Sequence, residues 1–182
     1  WVGSMANNVA ADGVPLPVRD GEGTLFRYDH GGAMEAVETG IGISNTLCWS
    51  PDRRHFYFGD TLKNEIRVYD YDRDSGRIAG GTPFFAGFDR GFPDGSAMDS
   101  AGYLWNCRFG GGCIVRVAPD GTIDRVIDMP VSNITTCTFG GAELRTLYVT
   151  SAASDQGERL AGSLFAISVD VPGMDENIFR LG

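Results

Sequence analysis

The sequence lacks long apolar runs and basic clusters, and each absence excludes a class of protein. No apolar run approaches the roughly 18 residues that a membrane-spanning helix requires. The 182 residues include 15 basic and 24 acidic side chains, which leaves a formal net charge of −9. A nucleic-acid-binding surface needs basic side chains that displace counterions from phosphates. This charge therefore argues against nucleic acid as a partner and equally against an anionic membrane surface.

Paired cysteine motifs are also missing. None of the four cysteines forms a C-x-x-C pair, which argues against a zinc ribbon or a thioredoxin-like redox site. Each lies in an apolar run, where a free thiol behaves as a small hydrophobic group. We therefore expect buried, reduced thiols and not disulfides, and this favours a cytoplasmic location. The four are Cys48, Cys107, Cys113 and Cys137.

Glycine, in contrast, is abundant. The chain has 26 glycines, about twice the average share of roughly 7%. They are scattered between short apolar runs, and no stretch of more than ten residues shows the 3.6-residue period of an amphipathic helix. Many tight turns between short strands predict an all-β protein. The predicted strands include residues 1–5, 82–85, 113–118 and, last in the chain, 177–181. Residues 7–22 are predicted to form a long loop.

The predicted strands repeat along the chain. Each unit consists of an apolar run that ends in a turn, a second apolar run, and a third strand that alternates apolar and polar residues. Equivalent points in three successive units, Asn45, Asp94 and Thr135, fall 49 and 41 residues apart. Four short strands per 40 to 50 residues is the period of a β-propeller blade.

Four motifs in the repeats carry a family resemblance. Residues 42–52 read GISNTLCWSPD and residues 92–99 read FPDGSAMD. Residues 103–112 contain YLW followed by GGG, and residues 134–150 contain ITTCTFGG followed by LYVT. In this order, the set resembles the SMP-30/gluconolactonase/luciferin-regenerating-enzyme family, regucalcin included. The resemblance runs from Trp1 to about Ser168.

The resemblance implies a fold and a metal site. The fold would be a six-bladed β-propeller, of which residues 1–182 supply about four blades as one partial domain. One divalent metal ion (Ca²⁺, Zn²⁺, Mg²⁺ or Mn²⁺) would lie in the central channel, with Asn45 and Asp94 among its ligands. A ligating Glu and a second channel Asn would precede residue 1. The family usually has Gly where Thr46 stands, and the extra side chain is expected to narrow the channel or shift the Asn45 backbone.

The implied chemistry is hydrolysis of a sugar lactone, a small cyclic ester. A hard cation polarises the ester carbonyl and lowers the pKa of a bound water, and oxygen ligands such as those of Asn45 and Asp94 suit such a cation. By resemblance, Asp94 would also be the catalytic general base on the attacking water. Asn7 and Asn8 stand where family members carry polar side chains that contact substrate.

Each of these assignments has a plainer alternative. Asn45 reads equally as a turn residue at a strand entrance, and Asp94 with Gly95 as a common turn pair. Asn7 and Asn8 are equally consistent with a solvated loop. Asp60 could line the channel or support a residue that does, but we interpret it as a solvated strand end. For the whole protein, the alternative function is a non-catalytic propeller that serves as a ligand-binding or interaction scaffold, since fold alone does not decide function.

The resemblance leaves the organisation of the whole protein open. The sequence could be partial, a second chain could supply the missing blades, or a shorter ring could close. We favour a partial sequence, and we expect residues 1–182 alone to lack one metal ligand. The oligomeric state stays open.

Overall fold

A computed structural model describes residues 1–14, 16–29, 31–154 and 156–178 of the chain. Fourteen β-strands account for the regular structure of these residues, and none of them lies in a helix. The all-β prediction is therefore confirmed. In the same described part of the chain, no helix is long and apolar enough to cross a membrane.

The strands form four separate antiparallel sheets, each with strands in chain order. The first sheet has three strands, the second and third have four each, and the fourth has three. Sheet one contains β1 (Val2–Gly3), β2 (Gly23–Tyr28) and β3 (Met34–Ile41). Sheet two contains β4 (Ser44–Trp49), β5 (His55–Asp60), β6 (Glu65–Asp72) and β7 (Arg77–Ala86). Sheet three contains β8 (Phe92–Met98), β9 (Leu104–Phe109), β10 (Cys113–Val117) and β11 (Ile123–Asp128). Sheet four contains β12 (Ile134–Gly140), β13 (Thr146–Ser151) and β14 (Leu164–Ser168).

Two predicted strands differ at the chain ends. The predicted strand over residues 1–5 is shorter, because only Val2–Gly3 pairs with β2, and Met5 makes an isolated bridge to Ile43. Of the predicted strand over residues 177–181, residues 177 and 178 are not in a strand, and the others lie outside the described residues. The long loop predicted before β2 is present wherever the structure describes it.

The core lies between consecutive sheets. One apolar cluster joins sheets one and two around Leu25 and Phe56, and a second joins sheets two and three around Ile66 and Val115. A third cluster joins sheets three and four around Trp105. Strands β9 and β10 are buried along almost their whole length because both faces of sheet three are covered. Stacked four-stranded meanders that bury their faces against their neighbours are typical of propeller blades.

The four cysteines belong to these buried clusters. All four are free and buried, as predicted. Burial raises the pKa of the Cys107 thiol well above its usual value, and the neighbouring Cys137 raises it further. The Cys107 thiol is therefore a protonated packing group at neutral pH.

A buried carboxylate organises the β8–β9 turn in sheet three. Asp99 is fully buried, and its Oδ1 accepts hydrogen bonds from the backbone N–H groups of Ala101 and Tyr103, at 3.0 Å each. Its Oδ2 accepts from Trp105 Nε1 at 3.0 Å and from Arg116 Nη2 at 2.6 Å. Arg116 is itself buried, so the charge of Asp99 is balanced inside the sheet. This network fixes the turn whose strands carry the candidate site at their other end.

The strands β4, β8 and β12 come close together, and glycine makes this approach possible. At Gly95 in β8, an added Cβ would lie 2.5 Å from Thr136 Cβ and 3.0 Å from Thr136 Cα in β12. No side chain fits in that space without displacing one of the two strands. We call β4, β8 and β12 the inner strands, because each begins its sheet and β8 contacts both β4 and β12.

Candidate active site

A backbone bulge interrupts all three inner strands at the same level. The pairing register shifts between Asn45 and Leu47 in β4, between Pro93 and Ser96 in β8, and between Ile134 and Cys137 in β12. A bulge leaves a residue out of the ladder and changes the direction of its side chain. The residues released in this way include Thr46 in β4, Asp94 and Gly95 in β8, and Thr135 and Thr136 in β12.

Asn45 is held at the start of β4 by the end of β5. The Asp60 carboxylate accepts hydrogen bonds from the backbone N–H groups of Gly42 (3.0 Å) and Ile43 (3.2 Å), which fixes the turn that leads into β4. Asp60 is 8% exposed, so the interpretation of it as a solvated strand end is wrong. The side-chain amide of Asn45 donates from Nδ2 to Thr61 Oγ1 at 2.9 Å.

Thr61 connects Asn45 to the strand that carries Asp94. Its hydroxyl, which accepts the bond from Asn45, donates in turn to the carbonyl oxygen of Pro93 at 2.7 Å. Pro93 immediately precedes Asp94. Asn45 and Pro93, 48 positions apart in sequence (93 − 45), are therefore joined through one hydroxyl group.

The Asp94 carboxyl group is partly buried, and its surroundings perturb it. Burial raises the pKa of Asp94 to about 6, while hydrogen bonds from the Gly95 backbone and the Asn45 side chain lower it. Among the described residues, no salt bridge to Asp94 is formed. The Asn45 side chain thus lies close enough to Asp94 to affect its pKa, and no cationic side chain of the described residues pairs with the carboxylate.

A cleft of about 320 Å³ is lined by Asn45 and by Gly95, the residue that follows Asp94, whereas Asp94 itself does not line it. Its lining is mostly small and polar, with four hydroxyl groups, one amide and two apolar side chains. The lining residues are Gly3, Ser44, Asn45, Thr46, Leu47, Phe58, Gly95, Ser96 and Thr136. Such a surface suits a small ligand rich in hydroxyl groups, because each hydroxyl can both donate and accept a hydrogen bond.

Two buried polar residues of β9, Asn106 and Arg108, form hydrogen bonds to the backbone at and before Asp94. Neither residue was singled out from the sequence. Asn106 is fully buried, and its Nδ2 donates to Ser96 Oγ at 3.0 Å and to the Asp94 carbonyl oxygen at 3.4 Å. Its Oδ1 accepts from Arg108 Nη1 at 3.2 Å. The signal was present in the sequence as two polar residues that alternate with apolar ones in the run LWNCRF.

Arg108 fixes the loop that precedes Asp94. Its guanidinium group is 1% exposed and donates to the carbonyl oxygens of Phe88 (3.2 Å), Arg90 (3.1 Å) and Gly91 (2.6 Å). It also donates to Asn64 Oδ1 at 2.6 Å. Burial lowers the pKa of Arg108 to about 10, because no carboxylate of the described residues pairs with it. Carbonyl dipoles and the rings of Phe85 and Phe88 stabilise this charge, and the hydrogen bonds fix the backbone that supplies the carbonyls.

Asn7 and Asn8 lie apart from this cleft. Both are in the loop between β1 and β2, and neither lines the cleft. The side chain of Asn7 is exposed and accepts a hydrogen bond from the backbone N–H of Val9 at 3.2 Å, which is a local turn contact. A substrate role for these two residues stays a prediction.

The chemistry of Asn45 and Asp94 fits a hard divalent cation. Amide and carboxylate oxygens are the ligands that such ions prefer, and a buried carboxylate without a positive partner is stabilised by one. Across the described residues, no group of three or more His, Cys, Asp or Glu side chains is placed to hold a metal. Asn45 and Asp94 thus offer two ligands.

Stacked antiparallel meanders and a polar cleft between bulged inner strands define a β-propeller-like protein with its candidate site among the innermost strands. The profile of the SMP-30/Gluconolactonase/LRE-like region matches residues 1–153. The chain therefore belongs to the SMP-30/gluconolactonase/LRE-like family.

Several relatives of this chain are named for lactone chemistry. The chain is 37% identical over 172 residues to pentonolactonase XacC of Haloferax volcanii, a match that covers 88% of this chain and 59% of that protein. It is 36% identical over 166 residues to the 6-deoxy-6-sulfogluconolactonase of Pseudomonas putida, covering 86% of this chain and 56% of that protein. The chain thus spans little more than half the length of these relatives.

A solved structure has the same fold. The crystal structure of regucalcin from Agrobacterium tumefaciens, described as a calcium-binding protein, superposes with a TM-score of 0.84 at 26% sequence identity. The match covers 99% of this chain and 64% of that one. This likeness extends the β-propeller-like assignment to all four sheets.

Proposed function

We propose that this protein hydrolyses a sugar lactone with the help of one divalent metal ion. The observation that carries the proposal is that Asn45 is linked through Thr61 to the backbone just before Asp94, in a different sheet, and that Asn45 and Gly95 line a small hydroxyl-rich cleft. The names of the lactonase relatives support the substrate class. By the same resemblance, we propose that the four sheets belong to a ring of six blades.

In this proposal, Asp94 acts as the general base. Its raised pKa of about 6 leaves it mostly ionised at neutral pH, yet basic enough to take a proton from water. The water oxygen forms a bond to the lactone carbonyl carbon, and Asp94 accepts the proton. The ring C–O bond then breaks and the released alkoxide takes up a proton, so that lactone and water yield one hydroxy acid.

The cleft residues orient the substrate. Ser44, Ser96 and Thr136 present hydroxyl groups that can bond the hydroxyls of a sugar ring. Asn45 and Asp94 would be the residues of this chain that hold the metal ion. When bound, such an ion polarises the ester carbonyl and makes water more acidic.

A variant of Asp94 tests the catalytic proposal. With gluconolactone as the probe, acid release is followed in a pH-stat above the spontaneous background, with Ca²⁺, Zn²⁺ or EDTA present. We expect Asp94→Asn to lower the rate by about 10²- to 10⁴-fold, as expected for loss of a general base. The control is Asp120→Asn, since Asp120 lies in an exposed turn and bonds only Thr122. Equal rates for Asp94→Asn and the native protein would refute the assignment.

Metal binding is tested separately through the melting temperature. A ligand that binds only the folded protein stabilises it, by about 2.7 kcal/mol at a hundred times its Kd. Ca²⁺ or Zn²⁺ should raise the melting temperature of the native protein but not of Asn45→Ala or Asp94→Asn. A metal-linked rise without any lactone turnover would instead favour the ligand-binding scaffold, the alternative function.

A further inference from the structure

The most strained residue of the candidate site is Thr46. Its φ is +37°, in the left-handed region that β-branched residues rarely adopt. It stands in the bulge of β4, directly after Asn45, and is 3% exposed. Glycine adopts this backbone conformation without strain. At position 46, therefore, interactions of the threonine side chain must offset the free-energy cost of the strained backbone.

The hydroxyl of Thr46 is held by two short hydrogen bonds. It donates to the carbonyl oxygen of Asp94 at 2.8 Å, and it lies 2.8 Å from Ser96 Oγ and 3.4 Å from Asn106 Nδ2. A hydroxyl has one donor and two acceptor positions. Donation to Asp94 and acceptance from Ser96 therefore occupy two of the three positions, and the Asn106 amide, which is shared with Ser96 and Asp94, lies beside the third.

These bonds join two sheets at the level of the cleft. Thr46 belongs to sheet two, whereas Asp94, Ser96 and Asn106 all belong to sheet three. The acceptor is the backbone of Asp94 itself, and the donor follows Asn45 in the chain. A change at this one hydroxyl thus alters the position of the Asn45 amide relative to the Asp94 carboxylate.

The neighbouring strand makes room for this contact. A Cβ on Gly59 in β5 would lie 3.1 Å from Thr46 Cβ and 3.2 Å from its Oγ1. The space for a branched side chain at position 46 therefore exists only because position 59 lacks one.

We propose that Thr46 is a positioning residue whose hydroxyl fixes the separation of Asn45 and Asp94 across the two sheets. This inference rests on the proposed lactone hydrolysis only for its kinetic consequence. The structural connection between the two sheets stands independently of the reaction.

Three substitutions separate the hydroxyl from backbone strain. Thr46→Val keeps the branched shape and loses the hydrogen bonds, Thr46→Gly loses both the bonds and the strain, and Thr46→Ser keeps the hydroxyl. We expect Thr46→Val and Thr46→Gly to lower kcat for gluconolactone by about 10- to 100-fold, because a small misplacement of the reacting groups slows the chemical step. The KM of both variants should stay within about threefold of the native value. Thr46→Ser should restore kcat to within about threefold. Thr122→Val is the control, because it removes an exposed turn hydroxyl that bonds Asp120.

A second readout does not depend on activity. Amide hydrogen exchange, followed by mass spectrometry, should rise in Thr46→Val in both the peptide of β4 and the peptide of β8, and should stay at the native level in Thr46→Ser. Both results together support the proposal. Native kcat in Thr46→Val and Thr46→Gly, or a failure of Thr46→Ser to restore it, would overturn it.

The exchange result also separates two kinds of failure. If the native protein opens no lactone, the proposed function fails, and the exchange measurement alone decides the role of Thr46. Faster exchange in both β4 and β8 then still supports the connection between sheets. Faster exchange confined to β4 overturns it.

Discussion

The contact between Gly95 and Thr136 predicts the effect of adding a single methyl group. In Gly95→Ala the new Cβ would lie 2.5 Å from Thr136 Cβ, well inside van der Waals contact, so β8 and β12 must move apart. Gly95 does not have a positive φ, so alanine is compatible with the backbone and the effect is steric alone. Overpacking of this kind costs about 1–3 kcal/mol. For a chain of this size that lowers the melting temperature by about 2–12 °C.

The assay is urea unfolding of four proteins: native, Gly95→Ala, Thr136→Gly and the double variant. If the clash is the cause, the double variant should be more stable than the sum of the two single effects predicts, by about 1 kcal/mol or more. Gly31→Ala is the matched control, because Gly31 is exposed and its added Cβ would meet only Asp29 Oδ1, at 3.3 Å. Gly95→Ala as stable as Gly31→Ala, or strictly additive single effects, would refute the steric argument.

Three further predictions follow from the buried groups. In metal-free buffer, the free energy of unfolding should fall as pH rises from about 4 to 6, because the pKa of Asp94 is about 6 in the folded protein and 3.8 in the unfolded chain, so that the folded protein holds this proton more tightly. Urea titrations of Asp94→Asn should show a smaller dependence of this free energy on pH. An unchanged pH dependence in the variant would contradict the assignment. Arg108→Lys should lower the free energy of unfolding by about 1–3 kcal/mol, because an ammonium group cannot reach all the carbonyl oxygens to which the guanidinium group donates. A midpoint of urea unfolding equal to that of the native protein would disprove this role of Arg108. A thiol reagent should label none of the four cysteines before the protein unfolds, since all four are buried. Rapid labelling of the folded protein, detected by mass spectrometry, would contradict the burial of these thiols.

The sequence predicts the strands well where burial on both sides leaves a continuous apolar run. The strand predicted over residues 113–118 is β10 (Cys113–Val117), because nearly every residue of it faces a core. The outermost strand of sheet two is less predictable. The prediction covers residues 82–85, whereas β7 runs from Arg77 to Ala86. Gly80 and Gly81 both have positive φ there and read as a turn, although they form an irregularity within the strand.

The candidate site is predictable only in part, for a physical reason. Asn45 and Asp94 stand out through motifs that surround them in the sequence. Asn106 and Arg108 do not, since a polar residue within an apolar strand reveals nothing of its partners until neighbouring sheets are in place. The positive φ of Thr46 is indicated only indirectly, by the Gly that the family usually has at this position, because the residue type alone argues against it.

The buried Asp99 has a practical consequence for anyone who maps this protein by mutagenesis. Replacing it leaves buried N–H groups of Trp105 and Arg116 without their acceptor, although Arg116 keeps its ion pair with Asp124; at about 1–3 kcal/mol for each unpaired group, this defect lowers the yield of folded protein. In a screen of crude lysates, Asp99 and Asp94 would look equally indispensable. Only turnover normalised to the amount of intact molecule distinguishes an aspartate that serves the chemistry from one that keeps the scaffold together.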